Sequence, residues 1–239
     1  MLKNCNAQVA ISANWVNIIS KNILDTFPHG VLNAHAGDLP NYRGNACANW
    51  AIINGEKKMG LCIHQMNEDL DAGDILVKDY FPLNENTYIS DCYKFIESRT
   101  PQLFAKVLTN LSNNKVIFHK QSTSNVHRCF PRIPEDSKII WDQPMNRISR
   151  IIRASSDPFS GAFSYLDNKK IYIWRATTCS LDHQWSGIPG QIVHINKETG
   201  DVSVLAADGL VRLQEISHSE GPRLKPSNLF KSIRQRLIN

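Results

Sequence analysis

The chain has 239 residues, of which 42% are hydrophobic, and a formal net charge of +5. This length can supply the core of one large domain or two small ones, and the mild charge does not indicate a strong nucleic-acid footprint, although it leaves room for an anionic ligand. No apolar run reaches the roughly 18 residues of a membrane span, and no signal-peptide pattern opens the chain, so we predict a cytoplasmic protein with no membrane partner.

The first half of the chain alternates short apolar runs with helical patterns, which predicts an α/β sheet with covering helices. The first strand lies at residue 9 and there are few strands, so we expect the opening strands of a doubly wound sheet to be missing. An exposed edge of such a sheet invites pairing with another chain, including a second copy of this one. The predicted strands are 9–12, 30–34, 59–66 and 75–81, and the predicted helices are 16–27, 46–54 and 88–111, with a second helix expected to begin at Pro101.

The second half changes character after about residue 121. A polar, proline-containing segment at 122–136 indicates a linker, and 146–155 has the pattern of a short basic amphipathic helix. Five short strands separated by turn residues then predict a small β barrel. They are 162–166, 170–176, 190–195, 202–206 and 210–216. The predicted domains are therefore 1–121, a linker with a helix at 122–155, and a β-rich domain at 156–239.

Asn33, His35 and Asp71 are the candidate reactive residues. Asn33 and His35 stand two apart at the end of a predicted strand, so both side chains point to the same side. Asp71 follows the 59–66 strand in an Asp-Ala-Gly turn. Because ligands of α/β sheets bind at the carboxyl ends of strands, we expect an acyl-transfer site here. Structural roles are the alternatives: a strand-end histidine is often structural, Asp71 can be only a turn former, and His64 is expected to pack or support.

The six cysteines show no CxxC pair and no metal-ligand spacing. We therefore predict buried free thiols of a reducing compartment and no metal site. They are Cys5, Cys47, Cys62, Cys92, Cys129 and Cys179.

Several separately spaced motifs resemble the formyltransferase family, whose members transfer a formyl group from 10-formyltetrahydrofolate to a primary amine. The similarity runs in order over roughly residues 8–82 and is carried by NAHAGDLPNYRG at 33–44, WAI at 50–52, NGE at 54–56, IH at 63–64 and LDAGDI at 70–75. Further matches to the family's C-terminal domain are IW at 140–141, IRA at 152–154, Pro158, GAF at 161–163, IYIW at 171–174, PG at 189–190 and DG at 208–209.

The resemblance implies a Rossmann-like formyltransferase domain that lacks its first strands, followed by a barrel-like C-terminal domain. It places the family's catalytic triad on Asn33, His35 and Asp71. It places the donor pocket on Asn17, Ile18 and Ile19 and on the 67–73 loop, with Asn67, Leu70 and Gly73 as candidates. The acceptor is expected to contact Tyr42, Arg43 and Gly44, with loop anchoring as the alternative role of Arg43.

For the chemistry, we expect Asn33 and His35 to donate hydrogen bonds to the developing oxyanion. Asp71 would accept a proton, directly or through water, and hold His35 in its charged form or its correct tautomer. The reaction requires neither a covalent enzyme intermediate nor a metal.

Ala36-Gly37-Asp38-Leu39-Pro40 is the main clue to the acceptor, because tRNA-modifying relatives typically have Ser-Leu-Leu-Pro there. With the compact C-terminal domain, it favours a nucleotide-linked amino sugar, such as a dTDP-amino-dideoxyhexose, used for surface polysaccharide (lipopolysaccharide O-antigen). Methionyl-tRNA is the alternative, supported by the barrel and by an arginine face of Arg147, Arg150 and Arg153, for which a solvated face is the default. A non-catalytic module that binds folate or a partner is a third hypothesis.

Overall fold

The structure, a computed structural model, describes residues 6–13, 15, 19–124, 126–181, 185–218 and 221–239. The chain divides into two compact units. The first comprises Met1–Ala51, Glu56–Asn84 and Asp91–Pro131, and the second comprises Ile52–Gly55, Glu85–Ser90 and Arg132–Asn239. Residues 132–155, which the sequence assigned to a linker and helix, thus lie within the second unit.

A four-stranded sheet forms the centre of the first unit. β1 (Ala10–Ser12) pairs parallel with β2 (Val31–His35), which pairs antiparallel with β4 (Lys58–Gln65), and β4 pairs antiparallel with β5 (Ile75–Pro82). A smaller parallel pair joins β3 (Arg43–Gly44) to β6 (Arg128–Cys129). The helices of this part of the chain are α1 (Lys21–Leu24), α2 (Cys47–Asn54) and α3 (Ile89–Ser112).

The α3 helix runs through Pro101 as a single element of 24 residues, so the predicted break is wrong. A proline inside a helix costs about 3 kcal/mol. Beyond it, however, Leu103, Phe104 and Val107 are buried in the same cluster as Leu32 of β2. Burial of each such side chain contributes about 1.5–3 kcal/mol, which outweighs the cost of the proline.

No helix in the described ranges, α3 included, is long and apolar enough to cross a membrane.

The helix predicted over 16–27 is also shorter than expected. α1 covers only Lys21–Leu24, and residues 16–18 lie outside the described part of the chain. The chain turns after α1 because Pro28 follows closely and Gly30 adopts a φ of 71°, a conformation that glycine tolerates without a side-chain clash.

A five-stranded antiparallel sheet forms most of the second unit, and α4 (Met145–Ser155) packs on it. Its strands are β7 (Ala162–Leu166), β8 (Lys169–Cys179), β9 (Ile192–Ile195), β10 (Val202–Leu205) and β11 (Leu210–His218), in the order β7-β8-β11-β10-β9. Each predicted strand is present, with ends that differ by a few residues at most.

The C-terminal segment closes this sheet into a barrel-like form. Ile238 exchanges backbone hydrogen bonds with Tyr165 of β7, at 2.9 and 3.2 Å. Its neighbour Leu237 donates to Gly190 O at 2.8 Å, just before β9. Because β7 and β9 are the two edge strands, one short segment satisfies both edges.

Two of the three arginines of α4 bind backbone carbonyls of the second unit. Arg153 is 7% exposed and donates to Thr87 O at 2.7 Å, while Arg147 donates to Ile53 O at 2.7 Å. Burial lowers the pKa of Arg147. Arg150 lies against Gly55, where an added Cβ would come within 2.4 Å of the guanidinium carbon. The default expectation of a solvated face is therefore wrong for Arg153, whereas Arg147 and Arg150 remain partly exposed, so the arginine face gives weaker support to tRNA binding.

Replacing Leu237 by alanine tests the closing segment. Leu237 is 1% exposed within the core, whereas the adjacent Ile238 is 44% exposed. We expect Leu237→Ala to lower the free energy of unfolding by about 2–5 kcal/mol. Ile238→Ala, the matched control, should cost under about 1 kcal/mol. Urea unfolding followed by circular dichroism measures both, and equal losses would contradict a closure that depends on core burial.

Candidate active site

The structure brings Asn33, His35 and Asp71 together, and it adds His64. β2 carries Asn33 and His35 on one side, and Asn33 stands opposite His64 in the antiparallel pairing with β4. Asp71 enters from the turn between β4 and β5. Its Oδ2 lies 3.5 Å from His35 Nδ1, and its Oδ1 lies 3.6 Å from His64 Nε2. The side chains of His35, His64 and Asp71 are each at most 11% exposed.

His64 was expected only to pack or support, yet it contacts two of the predicted residues. Its Nε2 lies 3.3 Å from Asn33 Nδ2 and also faces Asp71. Its position depends on the antiparallel register of β2 and β4. The alternation of strands and helices in the sequence indicates parallel pairing and gives no such register.

His35 has both ring nitrogens against protein acceptors. Nε2 lies 2.6 Å from the Tyr42 carbonyl oxygen, which can only accept, so this nitrogen carries a hydrogen. The Cys47 thiol donates to the same oxygen at 2.9 Å. Nδ1 faces Asp71. An oxyanion could therefore receive a hydrogen bond from His35 only if one of these contacts were broken.

Burial and charge set the protonation of the pair. Burial lowers the pKa of His35, and a proton on His64 would lower it further, whereas Asp71 and the Tyr42 carbonyl oppose this change. For Asp71, burial raises the pKa, but a hydrogen bond from His64 and the charge of His35, each when its ring is protonated, together with the Gly44 N–H at 2.9 Å, outweigh it. The net result is an Asp71 pKa below its usual range. At neutral pH, the site therefore holds an anionic Asp71 and a neutral His35.

His64 orients the Asn33 amide. His64 Nδ1 lies 3.1 Å from the Gln65 carbonyl oxygen and so carries the hydrogen in the neutral ring. Nε2 is then an acceptor, which suits the Asn33 amide nitrogen. Among the described residues, no acceptor takes the second amide hydrogen of Asn33, so that hydrogen is available to a ligand oxygen.

A cavity of about 650 Å³ in the first unit contains all four residues. Of the other predicted binding residues, Ile19, Gly44, Asn67 and Leu70 line it, and Asn17 and Ile18 lie outside the described residues. The α3 helix supplies a wall that sequence reasoning missed, at Tyr93, Ile96, Glu97, Thr100 and Pro101.

Three predicted binding residues support the site from behind. Tyr42 lines a second cavity of about 300 Å³, and its hydroxyl donates to Glu56 at 2.6 Å. Arg43 donates to Gln121 and Ser122, which is the loop-anchoring role. Gly73 has no room for a side chain, because an added Cβ would lie 1.7 Å from the Gln65 carbonyl oxygen.

Comparison with known proteins identifies the family. Residues 1–108 match the family described as Formyl transferase, and residues 132–234 match Formyl transferase, C-terminal domain. A methionyl-tRNA formyltransferase of Caldanaerobacter subterraneus subsp. tengcongensis is 31% identical over 222 residues, which cover 93% of this chain and 70% of that protein. The chain belongs to the formyl transferase family. The predicted family and the predicted enzyme class, a one-carbon group transferase, are confirmed.

Solved structures share the fold of this formyl transferase family member. HypX from Aquifex aeolicus in complex with tetrahydrofolic acid has a TM-score of 0.68 at 20% identity, covering 95% of this chain and 39% of the HypX chain. An N-formyltransferase from Helicobacter canadensis also has a TM-score of 0.68, at 21% identity over 87% of this chain and 73% of the other. Methionyl-tRNA formyltransferase from Clostridium thermocellum gives 0.59 at 23%, over 71% and 72%. The chain thus spans about two fifths of HypX, and the predicted fold class is confirmed.

The buried, neutral His35 makes stability depend on pH. Its folded pKa lies below the ordinary value of 6.5, so the unfolded chain binds more protons as the pH falls through 6.5. Stability is therefore lost below that pH, by at most about 1.4 kcal/mol per pH unit for this proton. We expect His35→Gln to flatten this part of the profile. Urea unfolding of both proteins between pH 5 and pH 8 (about 1.5 units either side of 6.5) measures it, and an unchanged slope would contradict the assignment.

Proposed function

We propose that this chain transfers a formyl group from 10-formyltetrahydrofolate to a primary amine. The observation that carries the proposal is the Asn33–His35–His64–Asp71 cluster inside the 650 Å³ cavity. Family membership supports it. The Aquifex HypX structure is a complex with tetrahydrofolic acid, and the Helicobacter structure is a complex with folinic acid and dTDP-3-aminofucose.

The cavity wall suits a folate donor. Ile19, Leu70 and Ile96 offer apolar surface to a flat ring, and Asn67 adds a polar group at the loop. The turn at Gly73, held tightly against Gln65, keeps this loop in place.

The cluster can perform the three parts of the reaction. The available amide hydrogen of Asn33 would stabilise the oxyanion as the amine nitrogen bonds to the formyl carbon. The lone pair of His35 Nδ1, beside anionic Asp71, would receive the proton that the amine loses. When the bond between the formyl carbon and the donor nitrogen breaks, that proton passes to the donor nitrogen. His64 holds Asn33 throughout.

For the acceptor, we propose a nucleotide-linked amino sugar for surface polysaccharide. The loop sequence at residues 36–40 favours this class, and Arg147 and Arg153 are already bound to backbone carbonyls. The sugar-nucleotide complex of the Helicobacter relative is consistent with it. Methionyl-tRNA is the second candidate, favoured by the 31% identical methionyl-tRNA formyltransferase.

Replacing Asn33 tests the oxyanion role. We expect Asn33→Ala to lower kcat by roughly 100- to 1,000-fold, because one oxyanion donor is lost. Asn113→Ala, an exposed position beyond α3, is the control and should retain normal turnover. Formyl transfer from 10-formyltetrahydrofolate is the measurement. Near-normal turnover of Asn33→Ala would rule out the role.

An acceptor panel separates the two substrate classes. We expect turnover of a dTDP-, UDP- or GDP-linked amino sugar and none of charged initiator tRNA. A tRNA acceptor that makes six or more phosphate contacts would lose about 1,000-fold in affinity between roughly 50 and 200 mM salt, whereas a sugar nucleotide with two phosphates would lose far less. Tetrahydrofolate binding without transfer to any amine would instead support the non-catalytic module.

A further inference from the structure

Both polar atoms of the Gln121 side chain form hydrogen bonds that hold the turn at Asp71–Gly73, which we call the active-site turn. Its Nε2 donates to the backbone oxygens of Asp71, at 2.8 Å, and of Gly73, at 2.7 Å. Its Oε1 accepts from Arg43, at 2.7 Å from Nη2 and 3.1 Å from Nε. Gln121 is absent from the described residues that line the active-site cavity. It therefore touches the turn and the loop but not the space for the substrate.

The turn needs such support because Asp71 has a φ of 51°. A residue with a Cβ rarely adopts this left-handed conformation, and it persists only where the surroundings hold it. Two neighbouring residues of the 36–44 loop hold it here. The Gly44 N–H binds the Asp71 carboxylate directly at 2.9 Å, and Arg43 binds the turn through Gln121.

We propose that Gln121 is a positioning residue that fixes the Asp71 carboxylate against His35. The activity part of this proposal rests on the proposed formyl transfer, and the positioning part does not. A primary amide is the side-chain group that supplies two donors and an acceptor at one planar end. A carboxylate at this position would lack the donors, and a lysine would lack the acceptor.

The segment that carries Gln121 is itself fixed to the sheet. His119 and Ile75, the first residue of β5, exchange backbone hydrogen bonds of 2.9 Å in both directions. Gln121 lies two residues beyond this bridge. Its amide therefore reaches the turn from a backbone that the sheet already holds, which is the arrangement that positioning requires.

The protonation of His35 reports the position of Asp71 without any substrate. The groups that face His35 are Asp71, His64 and the Tyr42 carbonyl. Since Asp71 favours the charged ring, moving its carboxylate away lowers the midpoint at which His35 titrates. If His35 limits the rate, the corresponding limb of the pH–rate profile moves to lower pH, whichever protonation state is active.

The test variant is Gln121→Met, which is similar in length and has no amide. In protein labelled with 15N-histidine, and with His35 assigned from His35→Gln, we expect the His35 midpoint to move to lower pH than in the wild type. With 10-formyltetrahydrofolate and an amine that turns over, kcat should fall by about 10- to 100-fold, because a shift of about 1 Å costs that much. KM for the donor should change less than about threefold, since Gln121 does not line the cavity.

Two further variants complete the test. Gln102→Met, an exposed glutamine of α3 that accepts from Arg99, is the control and should change neither readout. Gln121→Asn keeps the amide on a side chain one methylene shorter. Its His35 midpoint and its kcat should both lie between those of wild type and Gln121→Met. If Gln121→Met does not fold, Gln121→Asn is the variant that tests the proposal.

A folded variant with unchanged His35 midpoint and kcat, or with a raised KM alone, overturns the proposal. If the wild type turns over no amine, the proposed function fails while the histidine titration still decides this one.

Discussion

The buried carboxylate of Asp71 is the group on which the site depends. Removing an ionised carboxylate from water is costly unless donors or opposite charges compensate. Here the Gly44 N–H donates to the carboxylate directly, and a proton on either neighbouring imidazole, His35 or His64, would oppose its charge. Gln121 holds the backbone of the same residue in place. Two strands, one loop and one later segment must therefore all be in place before this charge is stable.

The sequence predicted the parts of this arrangement that depend on local pattern. The strand positions followed from apolar runs, and the two-residue spacing of Asn33 and His35 gave their common side. The roles of His64 and Gln121 could not be predicted from the sequence, for a physical reason. Their contacts depend on antiparallel register and on a return of the chain about fifty residues after Asp71. Local periodicity indicates neither the antiparallel register nor the return of the chain.

Two patterns gave wrong expectations because tertiary contacts outweighed local preference. Pro101 did not end α3, since buried side chains after it hold the helix on the sheet. The arginine spacing of α4 indicated a solvated basic face, but Arg153 is buried and donates to the Thr87 carbonyl oxygen.

The Tyr42 carbonyl has a consequence for how this enzyme could change its acceptor. The loop at residues 36–44 is where we propose that acceptor selectivity lies, and the same loop provides the oxygen that holds His35 Nε2–H and the Cys47 thiol. A substitution that reshapes the loop for a new amine also disturbs the tautomer of the imidazole. Under the proposed function, acceptor selectivity and proton transfer therefore depend on the same loop. Loop exchanges between relatives should behave as epistatic blocks rather than as independent point changes.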